Sequence, residues 1–98
     1  MIRLELPYHL RTLAGVGGDI TLDAPHGATI GAVVTIIEEA YPTLKGTIRD
    51  PATGQRRPFL RFFAGGKDLS HAGMEAALPD EVVSGREVLI VLGAVAGG

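Results

Sequence analysis

The chain has 98 residues, enough for one compact domain with a modest core and too few for two. Apolar residues make up 46% of it, with three phenylalanines, two tyrosines and no tryptophan, which excludes a chain disordered throughout and predicts an aliphatic core. A formal net charge of −2 gives no general attraction to nucleic acid or anionic membrane, and the absence of cysteine removes disulfides, thiolate nucleophiles and cysteine-ligated metals while suiting a reducing cytoplasm.

At the amino end, Ile2, Leu4 and Leu6 alternate with Arg3 and Glu5, the period of a half-buried strand ended by Pro7. Charged residues interrupt the apolar ones at once, so no secretory signal is expected here, and the longest apolar run falls far short of a membrane span. The Gly15-Val16-Gly17-Gly18 turn leads into Asp19-Ile20-Thr21-Leu22-Asp23, which alternates again; the two segments read as a hairpin with a long connection. Thr29 then caps a helix whose Ile30, Val33, Val34, Ile37 and Tyr41 share one face, with Glu38 and Glu39 towards solvent. Pro42 disfavours helical geometry at Tyr41 and sets the end.

From Thr43 to Pro58 the chain is polar and broken, and Asp50-Pro51-Ala52-Thr53-Gly54 predicts a surface loop or small hairpin. Phe59 to Ala64 reads as a strand, Gly65-Gly66 as its turn, and Lys67-Asp68-Leu69 as a short partner. Met74 to Leu78 is expected to form a single helical turn, and Glu81 to Arg86 a reversal. Glu87 to Leu92 is a nearly continuous apolar run, suited to a central strand with both faces covered and both edges bonded. Pairing it with the first strand gives a helix on one face of a mixed sheet.

The chain ends Val95-Ala96-Gly97-Gly98. A glycine pair threads a narrow channel without steric conflict, which makes the Gly98 carboxylate a candidate reactive group, although a frayed end has the same composition. If extended, residues 93 to 98 span roughly 20 Å at ~3.3–3.6 Å per residue, enough to cross the rim of a partner's active site.

Other constellations point to no catalysis within the chain. Gly15, Gly17 and Gly18 precede a strand rather than a helix, so they are read as a turn and not as a phosphate loop, and no Gly-x-x-x-x-Gly-Lys-Ser/Thr motif is present. His9, His26 and His71 lack metal-ligand spacing and read as loop histidines. Glu38-Glu39 and Asp80-Glu81 are adjacent carboxylates that read as solvated faces. Lys45, Arg49, Arg56, Arg57 and Arg61 cluster around Asp50, either as a wet loop or as a docking patch for an acidic surface. Phe59, Arg61 and Phe63 fall on one face of their strand and Leu60 and Phe62 on the other, so an outward Phe59/Phe63 face would form an apolar patch suited to a protein interface.

The order of elements, the opening strand Ile2 to Leu6, the helix begun at Ala28-Thr29-Ile30-Gly31, the Gly65-Gly66-Lys67-Asp68 turn, Gly85-Arg86-Glu87-Val88 and the Val-Ala-Gly-Gly ending together resemble the MoaD/ThiS family of ubiquitin-like sulfur carriers. The likeness spans nearly the whole chain. It implies an α+β, ubiquitin-like β-grasp domain over residues 1–92, with a mixed sheet of four to five strands on one main helix, and a flexible extended tail over 93–98. In that family an ATP-dependent adenylating enzyme of ubiquitin-activating type activates the terminal glycine carboxylate, which becomes a thiocarboxylate that a biosynthetic partner uses as sulfur donor. The resemblance puts that role on Gly98 and Gly97, and partner docking on Val95, Ala96, Phe59, Arg61 and Phe63. ATP and Mg²⁺ are then used by the partner, with no cofactor, nucleic acid or membrane bound by this chain, which is expected to be a cytoplasmic monomer or weak dimer and a cosubstrate rather than an enzyme.

Arg49-Asp50-Pro51, Pro58-Phe59, Arg61-Phe62 and the Ala94-to-Gly98 ending look most like the carriers that feed cysteine synthesis, while molybdopterin, thiamin and thiolated RNA stay open as destinations. Members often carry proline just before Val-Ala-Gly-Gly; Gly93-Ala94 stands there instead and is expected to loosen the tail. Conjugation through Gly98 to lysines of other proteins, as a ubiquitin-like modifier, uses the same activated carboxylate, and a non-covalent β-grasp interaction module with an inert tail is the third alternative.

Overall fold

The structure is a computed structural model, and it describes residues 1–93. Strand β1 (Ile2–Glu5) follows the alternation of its sequence: Ile2 and Leu4 are buried while Arg3 and Glu5 face out. The segment that follows departs from the expected open connection. Pro7 leads into helix α1 (Tyr8–Ala14), which ends on Gly15 in the left-handed conformation at φ 73°. The Gly15 N–H donates to Thr12 and the Val16 N–H to Arg11, so the helix closes on paired bonds that suit glycine just past the last turn. With only Leu10 buried, α1 offers no apolar stripe, which is why hydrophobic periodicity does not reveal it.

Strand β2 (Ile20–Leu22) pairs antiparallel with β1. Helix α2 (Ile30–Ala40) is the one predicted: the Thr29 side chain accepts from the Ala32 N–H at 3.0 Å, and Ile30, Val33, Val34 and Ile37 are buried. Pro42–Leu44 then turns as a short 3-10 helix. The 43–58 segment is a small hairpin, with Arg49 and Arg56 as an isolated antiparallel bridge, yet it also delivers Leu44 and Ile48 to the core at 0% exposure.

Strand β3 (Leu60–Ala64) turns through Gly65-Gly66 into the two-residue β4 (Lys67–Asp68). Beyond it the expected turn of helix at Met74 to Leu78 is absent. Ser70–Ala72 forms a 3-10 turn instead, and after Gly73 at φ 85° the chain runs along the start of α2. There Met74 and Ala76 carbonyls accept from the Gly31 and Ile30 N–H groups at 2.7 and 3.1 Å, and Leu78 N–H donates to Ala28. This segment is held open because it satisfies the free N–H groups of α2. The predicted reversal at 81–86 contains helix α3 (Asp80–Val83), begun by Pro79 and burying Val82 and Val83. Gly85 closes it at φ 85°, where a Cβ would stand 2.5 Å from the Met1 carbonyl oxygen. Arg3 Nε donates to the Gly85 carbonyl at 2.6 Å, locking this turn onto β1.

Strand β5 (Leu89–Gly93) is central: the sheet order is β2-β1-β5-β3-β4, parallel between β1 and β5 and antiparallel elsewhere. Its Leu89 and Val91 are each 1% exposed and meet Leu4, Phe62 and the α2 stripe in one cluster. A mixed five-stranded sheet with α2 over one face is the arrangement expected of a β-grasp domain, with α1 and α3 as additions to the single helix foreseen. Among the described residues no helix is long and apolar enough to cross a membrane.

Candidate functional site

The sheet face opposite α2 is built by alternation. Leu60, Phe62 and Ala64 are buried, which turns Phe59, Arg61 and Phe63 outwards. The β3–β5 register sets Arg61 opposite Leu92 and Phe63 opposite Ile90, so all four belong to the outer face. Phe59 is 62% exposed and Leu92 47%, while Phe63 and Ile90 are half-buried. The result is a two-strand apolar strip along β3 and β5, with Arg61 among its members. Leu92, which the sequence analysis did not single out as a surface residue, belongs here; the continuous apolar run hid its outward direction, and the register alone reveals it.

Arg61 is paired on this face. Its Nη1 lies 3.0 Å from Asp68 Oδ2, and His71 Nε2 is 3.7 Å from the same carboxylate. Hydrogen bonds from Ser70, first its side chain and then its backbone, hold Asp68 at about 2, below its ordinary 3.8, with Arg61 and His71 acting in the same direction. The Ser70 hydroxyl oxygen in turn accepts the Phe62 N–H at 2.8 Å, which anchors the hairpin to β3.

Three further arginines of the basic cluster bond within the fold. Arg49 donates to Glu38, to Thr35 Oγ1 at 3.2 Å and to the Gly31 carbonyl at 3.4 Å, fastening the 43–58 hairpin to α2. Glu38, expected towards solvent, is thereby largely covered; Glu39 is exposed as expected. Arg56 donates to carbonyls of Arg57 and Leu60, and Arg57 Nε to Gly46 at 2.9 Å. Lys45 is exposed.

The two clefts described among residues 1–93 are small. A cleft of about 180 Å³ lined by Ile30, Gln55, Arg56, Phe62, Ser70 and Met74, and another of about 200 Å³ near Lys67 and Glu87, fall below the roughly 300–1,000 Å³ of ligand pockets. Among the described residues no group of three or more His, Cys, Asp or Glu side chains could hold a metal. His26 stands 3.7 Å from Asp80 on the surface.

At Gly93, the end of β5, an added side chain would meet its neighbours. A Cβ at Gly93 would lie 2.8 Å from His9 Cε1 and 3.3 Å from Leu60 Cδ2, so the imidazole of α1 occupies the space of a side chain there. Because β1 and β5 are parallel, α1 leaves the same rim of the sheet at which β5 ends. Val95, Ala96, Gly97 and Gly98, named above for docking and activation, lie outside the described residues.

Taken together, the strand order and the helix on one face define a ubiquitin-like β-grasp domain. Its structural neighbours bear this out: SAMP1 of Haloferax volcanii (TM-score 0.76, 21% identity, 99% of this chain and 98% of that one) and CysO of Mycobacterium tuberculosis (0.76, 23%, 97% and 100%). A chain of the Amycolatopsis orientalis BexX/CysO complex matches at TM-score 0.77 and 22% identity over 100% of both chains. At such identities these neighbours establish the fold. No sequence-family model and no curated protein sequence matches the chain.

Proposed function

We propose that this protein is a sulfur carrier whose Gly98 carboxylate is activated by a separate ATP-dependent enzyme and then converted to a thiocarboxylate. The observation that carries the reading is positional: the central strand β5 runs out at the rim of a β-grasp sheet, and the sequence beyond it is Ala94-Val95-Ala96-Gly97-Gly98. A carboxylate is a poor electrophile until one oxygen becomes part of a leaving group. Attack of that oxygen on the α-phosphate of ATP expels pyrophosphate and forms the mixed anhydride; a sulfide-level sulfur nucleophile then attacks the carbonyl carbon and expels AMP. Mg²⁺ and the cations that stabilise the phosphoryl charge belong to the activating enzyme.

The chain itself presents the carboxylate. The outward strip of Phe59, Phe63, Ile90 and Leu92, with Arg61, docks the activating enzyme and later the sulfur acceptor, burying apolar area next to the departing chain. The protein is thus a cosubstrate acting in the cytoplasm, and the receiving pathway is one of cysteine, molybdopterin, thiamin or thiolated-RNA synthesis. Its likeness to CysO favours the first, as does the subgroup resemblance of Arg49-Asp50-Pro51 and Pro58-Phe59.

The test is ATP–pyrophosphate exchange with an adenylating enzyme from the same cell. Exchange is expected with the intact chain and not after deletion of Gly97-Gly98; exchange insensitive to the deletion contradicts the proposal. A second reading, ubiquitin-like conjugation, is favoured by the likeness to the small archaeal modifier protein 1 structures. It predicts a Gly98 isopeptide remnant on lysines of other proteins, where sulfur transfer leaves none.

A further inference from the structure

Arg61 is the one charged residue of β3, and it stands in the outward strip between Phe59 and Phe63, opposite Leu92. A bare guanidinium there would oppose docking, since burying an unpaired charge costs more than the apolar contact around it gains. This one is paired across the hairpin. Asp68 stands opposite Phe63 in the β3–β4 register, so the 3.0 Å contact between Arg61 Nη1 and Asp68 Oδ2 crosses the ladder diagonally. The carboxylate is fixed from behind: its Oδ1 accepts the Ser70 N–H at 2.8 Å, and the buried Ser70 hydroxyl oxygen accepts the Phe62 N–H at 2.8 Å. Asp68 is thus tied on both oxygens and its side chain is 23% exposed, whereas that of Arg61 is 52% exposed. Among the described residues Arg61 makes its hydrogen bond through Nη1, which leaves Nε and Nη2 for an acceptor outside the chain. His71, with Nε2 3.7 Å from the Asp68 carboxylate, borders the strip on one side, and the exposed Glu5, opposite Ile90, borders it on the other.

We propose that Asp68 is a positioning residue for docking: it holds Arg61 as a compensated cation within the apolar strip, and the activating enzyme meets that cation with neutral carbonyl oxygens set in an apolar surface rather than with a carboxylate. This docking rests on the carrier reading of Gly98 and gives its activating enzyme a defined surface chemistry. Arg61 and Asp68 sum to zero charge, so a partner carboxylate would leave one negative charge in excess inside a desolvated contact. Carbonyl oxygens complete the hydrogen bonds of the guanidinium and leave no excess. A second copy of the chain is a poorer match, because the strip's other members, Phe59, Phe63, Ile90 and Leu92, carry no side-chain acceptor.

Pyrophosphate exchange with the adenylating enzyme from the same cell, at one pH and ionic strength, tests it through the KM for the full chain. Asp68→Asn is expected to raise KM about tenfold with kcat unchanged, because Arg61 then enters the contact without its counter-charge. A partner carboxylate predicts the opposite sign: the uncompensated cation would bind it better, and a lowered KM overturns the proposal. Arg61→Met, which removes the charge and keeps an unbranched side chain, is also expected to raise KM about tenfold, and the double variant to stay near that value. A merely structural role of Asp68 predicts independent effects instead, so a double variant showing the product of the two, about a hundredfold, overturns the proposal. Asn is isosteric with Asp and keeps an acceptor for the Ser70 N–H, so folding is expected, and amide exchange of β3 and α2 reports it; Arg61 is half-exposed, and an unmoved KM in Arg61→Met is decisive without any change at Asp68. Sedimentation of the chain alone is expected to show a monomer; a dimer dispersed by Leu92→Ala would place a second copy on the strip and overturn the proposal. If the wild type supports no exchange, the carrier reading fails and this docking with it. If it does and the variants match it, this docking fails and the carrier reading stands.

Discussion

Ser70 donates its backbone N–H to Asp68 Oδ1 at 2.8 Å while Arg61 holds Oδ2 at 3.0 Å, so the two-residue β4 is held by what its last carboxylate accepts as well as by its pairing with β3. The consequence is a pH dependence of definite sign. The folded Asp68 sits at about 2 and its ordinary value is 3.8, so its contribution is complete above the ordinary value and is lost as pH falls towards 2. Amide exchange of Ser70 is expected to accelerate over that interval relative to β1, and Asp68→Asn to abolish the acid-dependent part. An exchange rate that tracks β1 throughout would show that the carboxylate does not hold β4. Sequence reading saw Asp68 only as part of a short partner strand, because hydrogen bonding to Ser70 two residues on follows from turn geometry rather than from periodicity.

Among elements, the strands and α2 were legible because each buries alternate or helically spaced aliphatics, and the apolar run ending at Leu92 named the central strand. α1 and α3 were not, since each is short and buries at most two side chains. Their signals were of another kind: Pro7 and Pro79 at the starts, Gly15 and Gly85 past the ends. The 43–58 hairpin was read as a polar surface segment, yet Arg49 makes it an extension of α2. Arg49→Ala is expected to lower stability by about 1.5–3 kcal/mol, the range for hydrogen bonds to charged groups, in denaturant titration. Lys45→Ala, on the same hairpin but exposed, is expected within about 0.5 kcal/mol of the wild type. Equal effects of the two would mean that the cluster is a solvated patch. On β3 and β5, the outward pair Phe59→Ala with Leu92→Ala is expected to cost little stability and to raise the KM for the activating enzyme about tenfold, or ~1.4 kcal/mol of docking energy. An unchanged KM would remove the strip from the docking surface.

For the whole molecule, one sheet rim gathers what the proposed function uses. β1 and β5 run parallel to each other and end at it, α1 begins there, and β3 starts there beside the exposed Phe59. The opposite sheet face is closed by α2 and a core that includes Phe62 and Leu89 at 2% and 1% exposure. Such a division leaves a packed core on one face of the sheet and an apolar strip on the other. The fold was readable from the order of elements; the proposed reactive group was readable only from the Val-Ala-Gly-Gly sequence and the family resemblance, because the proposed chemistry would reside in a partner. The most direct measurement is therefore intact and fragment-ion mass spectrometry of the protein after incubation with ATP, Mg²⁺, a sulfur source and the adenylating enzyme. A gain of about 16 Da, sulfur for oxygen, confined to the fragment containing Gly98 is the predicted result. An unchanged Gly98 under conditions in which the enzyme thiolates another carrier would contradict it.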